Sequence, residues 1–330
     1  MSYRVLIAAL TALAAALFVA SLLVGPANLG LSESVRGLFA GGGEAAALVM
    51  QEIRLPRAIL GAMIGASLGV SGAALQGWLR NPLAEPGLIG VSSAAALGAV
   101  LAIYTGLSAA AALALPLSAL AGAVVAVVLV LALAGPNGGA LSLILSGVAV
   151  TAFAGALTSL VLNLSPNPFA ALEIVFWLLG ALTDRSMAHV WLAAPFMLAG
   201  WAMLAGLGRG LDALTLGDEA AATMGVRLDR LRLLAVLGVA SCVGAGVAVA
   251  GAIGFVGLVV PHLLRPLVDG RPSRLLLASA LGGASMLLTA DIAVRLLSTG
   301  RELKLGVLTA LVGAPFFLWL ILRERRRLAP

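Results

Sequence analysis

The chain has 330 residues, 62% of them hydrophobic, with 20 Lys+Arg against 14 Asp+Glu. Charged residues make up 10%, against roughly 25% in a soluble domain, and mean hydropathy is +1.12, which excludes a soluble globular enzyme and a disordered chain. The net charge of +6 rides on an apolar body, so it points to a membrane face and not to nucleic acid.

A membrane-crossing helix needs about 20 apolar residues. In chain order, such spans run over 5–24, 57–79, 88–106, 111–134, 140–163, 187–208, 229–250, 274–297 and 305–322. The first follows Arg4, is longer than a secretory h-region and has no A-x-A site behind it, so it is expected to remain as an uncleaved helix. The second carries Gly61, Gly65 and Gly69 four residues apart, a flat strip that lets a neighbouring backbone approach closely. The seventh has Gly238, Gly244 and Gly246 and runs on to Gly251 and Gly254, and both spans lead into a proline-containing segment. That likeness hints at two related halves, a common transporter plan.

Between the seventh and eighth spans, Gly251 to Leu264 (GAIGFVGLVVPHLL) is too short to cross alone unless it begins inside the membrane. If it crosses, there are ten helices and both termini are cytoplasmic. Thirteen of the 20 Lys+Arg (Arg4, Arg80, Arg209 through Arg232, Arg265, Arg271, Arg274 and the Arg323–Arg327 cluster) then face inside. Seven (Arg36, Arg54, Arg57, Arg185, Arg295, Arg301 and Lys304) face outside. The positive-inside bias therefore selects ten crossings and an all-α, polytopic chain forming a single transmembrane domain over 1–330.

Three loops carry chemistry. Arg80 to Gly87 (RNPLAEPG) has two prolines in five residues, which fixes a compact inner turn. Leu211 to Arg227 (LDALTLGDEAAATMGVR) is the longest polar stretch on the expected inner face. There Thr215-x-x-Asp218 has capping-box spacing, Asp218 and Glu219 fill a first turn, and Gly225 stands at a stop position. The reading is a helix of about 10 Å, either an ordered loop or a grip for a partner protein. On the outer rim, Arg54 and Arg57 flank Leu55-Pro56, and Asp291 precedes Arg295 by one turn and is its natural partner. This reads either as a closed structural pair or as a basic surface for an acidic protein.

Other chemistry is missing from the sequence. The single cysteine, Cys242, excludes an intramolecular disulfide and a cysteine-rich metal site. Lys304, the one lysine, follows Leu303, so no phosphate loop exists and any ATP must be hydrolysed by another chain. His189 and His262 form no ligand-spaced pair, and no metal or other cofactor is expected on this chain. A proton-driven secondary transporter would need a buried titrating carboxylate, for which only Asp291 and Glu173 are candidates. An intramembrane enzyme lacks a catalytic set.

Several segments together resemble the FecCD-type permease family: Leu55-Pro56-Arg57, the glycine-rich second span ending in Gln76, RNPLAEPGLIGVSSAAALGA from Arg80 to Ala99, and LGDEAAATMGV from Leu216 to Val226. GAIGFVGLVVPHLLRPLV from Gly251 to Val268 and LGVLTALVGAPFFLWLI from Leu305 to Ile321 extend the likeness to the last span. The resemblance implies a type II ABC importer permease fold for an iron-siderophore or haem, with cobalamin as the alternative cargo. It further implies a homodimer in the bacterial inner membrane, two cytoplasmic ATPase subunits that hold ATP and magnesium, and a periplasmic binding protein. By motif, Thr215, Gly217, Asp218, Glu219, Met224 and Gly225 match the ATPase-coupling helix. Arg54, Arg57 and Arg295 match arginines that dock the binding protein. Asn81, Pro82, Leu83, Ala140 and Leu141 match the inner gate, with Ser146 and Gly147 continuing the pathway-lining helix. Glu302-Leu303-Lys304-Leu305-Gly306 departs from the family's Glu-Leu-Pro pattern and adds a charge at the outer rim.

Overall fold

A computed structural model of the chain describes residues 2–27, 29–39, 45–135, 138–165, 167–297 and 303–328, with side chains as far as Arg323 in the last helix. Pro166, Arg301 and Glu302, and the side chains of Arg325, Arg326 and Arg327, lie outside the described residues. The first half comprises α1 (Tyr3–Leu23), α2 (Leu31–Phe39), α3 (Ala45–Leu48), α4 (Leu55–Trp78), α5 (Val91–Tyr104), α6 (Leu107–Ala110), α7 (Ala114–Ala134) and α8 (Ala140–Asn163). The second comprises α9 (Pro168–Leu178), α10 (Met187–Ala205), α11 (Gly208–Leu214), α12 (Asp218–Thr223), α13 (Leu228–Ala250), α14 (Val256–Leu264), α15 (Pro272–Leu297) and α16 (Leu305–Leu328). Among the described residues there is no strand.

Among the described residues, eight helices are long and apolar enough to cross a membrane, counting Ala45–Trp78 as one run. Two expected crossings are shorter. Helix α5 has 14 residues, about 21 Å at 1.5 Å per residue, and α14 has 9 before it tightens into the 3-10 turn Arg265–Val268. Helix α5 is preceded by the 3-10 turn Pro86–Ile89, and α14 by irregular backbone from Gly251. Unexpected from the sequence are the short apolar helix α9, capped by the Asn167 side chain on the Phe169 amide with Pro168 in its first turn, and the polar helix α2.

The bundle is built around α4 and α13, each with 78% of its most apolar window buried, whereas α1, α7, α8, α10 and α16 bury 17–28%. Those outer helices present leucine, valine and aromatic side chains outward, the pattern of a lipid-facing surface. The glycine strip of α4 makes the centre possible. A Cβ on Gly65 would lie 2.3 Å from the Gly283 carbonyl oxygen, one on Gly69 1.9 Å from that of Ser279, and one on Gly72 1.8 Å from that of Gly257. The backbones of α4, α14 and α15 therefore touch, and only hydrogen fits between them. Helix α13 uses the same device against α10, where Gly200 and Gly238 face each other beside Cys242 and Leu204.

Before α4 the helix opens into a π-turn over Val49–Arg54. Pro56 has no N–H to return to the Glu52 carbonyl, and its ring crowds that turn, so the ladder widens. The widening rotates Arg54 inward, where its side chain becomes 3% exposed.

Gly69→Ala is expected to destabilise the chain by about 1–3 kcal/mol through overpacking. Gly155→Ala, where a Cβ meets nothing within 4 Å, should not lower the unfolding midpoint of the purified protein in detergent, since alanine is the better helix former.

Candidate coupling and docking sites

Two polar clusters mark the two ends of the bundle. At one end, Asp291 on α15 is 1% exposed and holds two arginines. Arg57, from the first turn of α4, donates from Nε to both carboxylate oxygens at 2.9 and 3.1 Å, and its Nη2 lies 2.8 Å from Oδ1. Arg295, one turn further along α15, donates from Nη2 to Oδ2 at 2.9 Å. The i, i+4 pair expected from the sequence is thus present, but with a second cation on the same carboxylate.

The remaining donors end α1. Arg295 donates to the carbonyls of Ser21 at 2.8 Å and Val24 at 2.6 Å, and to the Ser21 hydroxyl at 2.6 Å. Arg54 donates to Leu22 at 2.9 Å, Leu23 at 3.0 Å and Ala27. The last carbonyls of a helix lack partners and carry partial negative charge, so the two guanidiniums of Arg54 and Arg295 satisfy both needs there. This corrects the exposed basic rim expected for Arg54, Arg57 and Arg295. Arg54 is buried, and the side chains of Arg57 and Arg295 are 14% and 6% exposed. Among the described residues, the charges open to solvent at this end include Glu33 and Arg36 on α2, Glu52 in the π-turn, Glu173 on α9 and Asp184. Lys304 is half-buried over the Phe176 ring, 5.9 Å from its centre.

At the other end, Thr215 does not cap the following helix. It ends α11, and its hydroxyl donates back to the Asp212 carbonyl at 2.7 Å. The helix starts at Asp218 after Gly217, whose φ of +106° excludes a side chain, and runs six residues to Thr223, about 9 Å. Met224 ends it, 63% exposed, and Gly225 turns the chain at φ +85°. Asp218 and Glu219 are exposed while Ala221 is fully buried, so the helix is pinned by one face and offers its acids outward.

The turn between α4 and α5 packs beside it. Arg80, at φ +50°, reaches Asp218 at 3.0 Å. The Asn81 side chain accepts from the Leu83 amide at 2.9 Å, closing an Asx turn in front of Pro82 and Leu83. Glu85 then accepts from the Phe255 amide at 2.6 Å, capping the start of α14. Burial pushes the Glu85 carboxyl up from its ordinary value, and the Phe255 amide pulls it back. Gln76 donates to the Ala84 and Leu258 carbonyls, both at 3.3 Å, and accepts from Arg265 at 2.8 Å. Asp212 caps α15 through the Ser273 amide and hydroxyl at 2.8 and 2.6 Å. None of these partnerships is expected from the sequence, although an acid within a two-proline turn signals a buried acceptor in need of a donor.

Helix α8 begins at Ala140, with Leu141 69% exposed and Leu145 and Val148 continuing that open face. Ser146 and Gly147 lie on the opposite face. The Ser146 hydroxyl donates to Ser142, and a Cβ on Gly147 would meet the Leu88 carbonyl at 2.1 Å. Gly147 therefore lets α8 pack against the Pro86–Ile89 turn within the subunit, the Ser146 bond stays inside its own helix, and both residues are buried and off the open face.

Among the described residues no cluster of His, Cys, Asp and Glu could hold a metal ion. The profile of the FecCD transport family matches residues 13–323. The chain belongs to this family. As a FecCD permease it is a multi-pass transport subunit of the ABC importers. The cobalamin import system permease protein BtuC of Halobacterium salinarum is 46% identical over 285 residues, 86% of this chain and 75% of that one. The hemin transport system permease protein HmuU of Yersinia pestis is 38% identical over 93% of each chain. The Fe(3+) dicitrate transport system permease protein FecD of Escherichia coli is 38% identical over 84% of this chain and 86% of its own. A metal-chelate type ABC transporter solved in an inward-facing conformation superposes with TM-score 0.86 at 33% identity, covering 96% of this chain and 98% of that one.

In this FecCD permease, Asp291→Ala leaves two arginines without a counter-charge. It is expected to cost about 3–5 kcal/mol, the usual penalty for breaking a buried pair by removing one partner. Asp291→Asn keeps an acceptor and should cost less, with both read from the unfolding midpoint in detergent.

Proposed function

We propose that the chain is the membrane subunit through which a bulky iron chelate, a ferric siderophore or haem, enters the cell. Two copies form the pathway, two ATPase subunits drive it from the cytoplasm and a periplasmic binding protein delivers the cargo. The observation that carries this reading is α12, a short rigid helix with Asp218 and Glu219 exposed and Ala221 buried. Such a helix transmits a push, because it has no room to bend and its inner face is anchored. ATP binding closes the ATPase dimer, α12 follows, and the two permease copies rock between outward and inward openings. The carried molecule is bound and released without being chemically altered, and this chain requires no cofactor of its own. Both termini lie in the cytoplasm, in keeping with the excess of arginines on that side.

Docking at the outer end follows from charge. Within the buried cluster Arg54, Arg57 and Arg295 outnumber Asp291 by three to one, although the exposed Glu33, Glu52, Glu173 and Asp184 oppose that charge at the surface. Contact with an acidic partner requires its carboxylates to compete with Asp291, so docking should be salt-sensitive.

Cobalamin is the second reading of the cargo, supported by the 46% identity with the permease named for cobalamin import. The apolar surface of α8 around Leu141, Leu145 and Val148 holds no charge that would distinguish a corrinoid from an iron chelate.

The test is ATP hydrolysis by the assembled complex in liposomes. Asp218→Lys is expected to lower the stimulation by loaded binding protein about tenfold or more, the equivalent of 1.4 kcal/mol of coupling. Unchanged stimulation in a correctly assembled complex would remove α12 from the coupling role. Comparing ferric siderophore, haem and cobalamin as the load identifies the cargo. Uptake that survives loss of the ATPase but collapses with the proton gradient would overturn the importer reading.

A further inference from the structure

A groove of about 720 Å³ lies at the α12 end of the bundle, between the last turns of α10 and the first turns of α13. Ala202 and Met203 of α10, Arg230 and Leu234 of α13, and Arg227 just ahead of α13 line it, with α11 and the turn over 225–227 completing the wall.

Both α10 and α13 are of membrane length, and the groove takes in only their ends. From Arg227 to Leu234 it rises about 10 Å along α13, at 1.5 Å per residue. The interfacial layer of a bilayer is about 5–8 Å thick on each side of the hydrocarbon. The groove therefore runs from headgroup depth into the start of the acyl region, and its chemistry changes over the same distance. Arg227 and Arg230 stand at the aqueous end, whereas Ala202 and Met203, one turn inside α10, and Leu234, inside α13, form a deeper apolar wall.

Both arginines are exposed, and among the described residues neither forms an ion pair or a hydrogen bond. No carboxylate among the described residues lines the groove. Positions 227, 230, 231 and 234 share one face of α13, while Asp229 falls on another and borders a separate groove with Arg232 and Leu233. On α12, Asp218 is held by Arg80, and the exposed Glu219 does not line the groove. Water hydrates the guanidiniums but gains nothing from the apolar wall, and a free anion matches the arginines alone. A phospholipid with an acidic headgroup matches both.

We propose that this groove holds an anionic phospholipid, with its headgroup phosphate between Arg227 and Arg230 and the start of one acyl chain along Ala202, Met203 and Leu234. Basic recesses between transmembrane helices at headgroup level are suited to such lipids. The site is separate from the cargo pathway, and the chain alone suffices to test it.

The test is thermal unfolding of the purified full-length chain in uncharged detergent, titrated with phosphatidylglycerol, with phosphatidylcholine of the same chains, and with inorganic phosphate. A ligand that binds only the folded state raises Tm by mass action and saturates. Each basic residue near an anionic headgroup gives about a fivefold gain, so phosphatidylglycerol should bind roughly 20- to 30-fold more tightly than phosphatidylcholine. The double variant Arg227→Gln, Arg230→Gln should abolish that preference, and Ala202→Trp, which fills the apolar wall, should weaken both lipids. Arg36→Gln at the opposite end should leave the preference intact. Equal affinity for the two lipids in the wild-type chain overturns the proposal, as does a preference that survives the double variant. Saturation by inorganic phosphate at the same level gives the arginines to a free ion and overturns the lipid assignment. Loss of ATPase assembly in the double variant with lipid affinity unchanged gives the groove to a protein partner and overturns it equally.

Discussion

The crossing of α4 with α14 and α15 is the constraint on which the rest of the bundle depends. In a bilayer there is little hydrophobic gain in bringing two apolar helices together, so packing and close backbone contact must supply the association. Gly65, Gly69 and Gly72 let the α4 backbone reach the carbonyls of Gly283, Ser279 and Gly257. Once these three helices touch, the depth of α14 is set. Glu85 and Gln76 can then reach its backbone, and Arg57 at the far end of α4 meets Asp291 on α15. One sterically enforced contact thus aligns polar groups at both ends.

Few charged residues are available, and several of those within the bundle are committed to backbone. Arg54 and Arg295 serve the carbonyl end of α1, Asp212 serves the amide end of α15, and Glu85 serves the amide end of α14. Each joins the terminus of one helix to a segment distant in sequence. This is an economical use of charge in a low-dielectric setting, because an orphan helix end costs free energy there and a charge-assisted hydrogen bond removes that cost. Asp291 differs in taking two cations, so its own cluster with Arg54 carries net positive charge, while the exposed acids Glu33, Glu52, Glu173 and Asp184 lie at the same end.

The broad architecture is legible in the sequence because it rests on composition and spacing. Apolar runs of membrane length mark the long helices, four-residue glycine spacing marks the face of α4 that packs closest, and the Asp291–Arg295 interval marks an ion pair. What escaped depends on rotation and on distant partners. Nothing local shows that the π-turn ahead of Pro56 swings Arg54 inward, or that α1 ends where two arginines converge. Thr215 has the spacing of a capping box, yet the glycine at 217 takes the N-terminal position because its positive φ lets the chain reverse there. Ser146 and Gly147 lie on a helix with an open face, but their 3.6-residue phase buries both, with Gly147 against Leu88. Helix α9 is simply too short to be read as anything but loop.

The link between α12 and the bundle is graded in strength. The Arg80–Asp218 pair is exposed, with side chains 49% and 62% accessible, and such pairs contribute about 0.2–1 kcal/mol. Behind it, the same turn is fastened by groups removed from water: Glu85 to the Phe255 amide, and Gln76 to the Ala84 and Leu258 carbonyls and to Arg265. Phe255 in turn rests on Gly313, where a Cβ would lie 2.2 Å from its own, so α14 and α16 cannot shift independently. The Arg80–Gly87 turn therefore belongs mechanically to α4, α14 and α16, and its joint with α12 is the weak one.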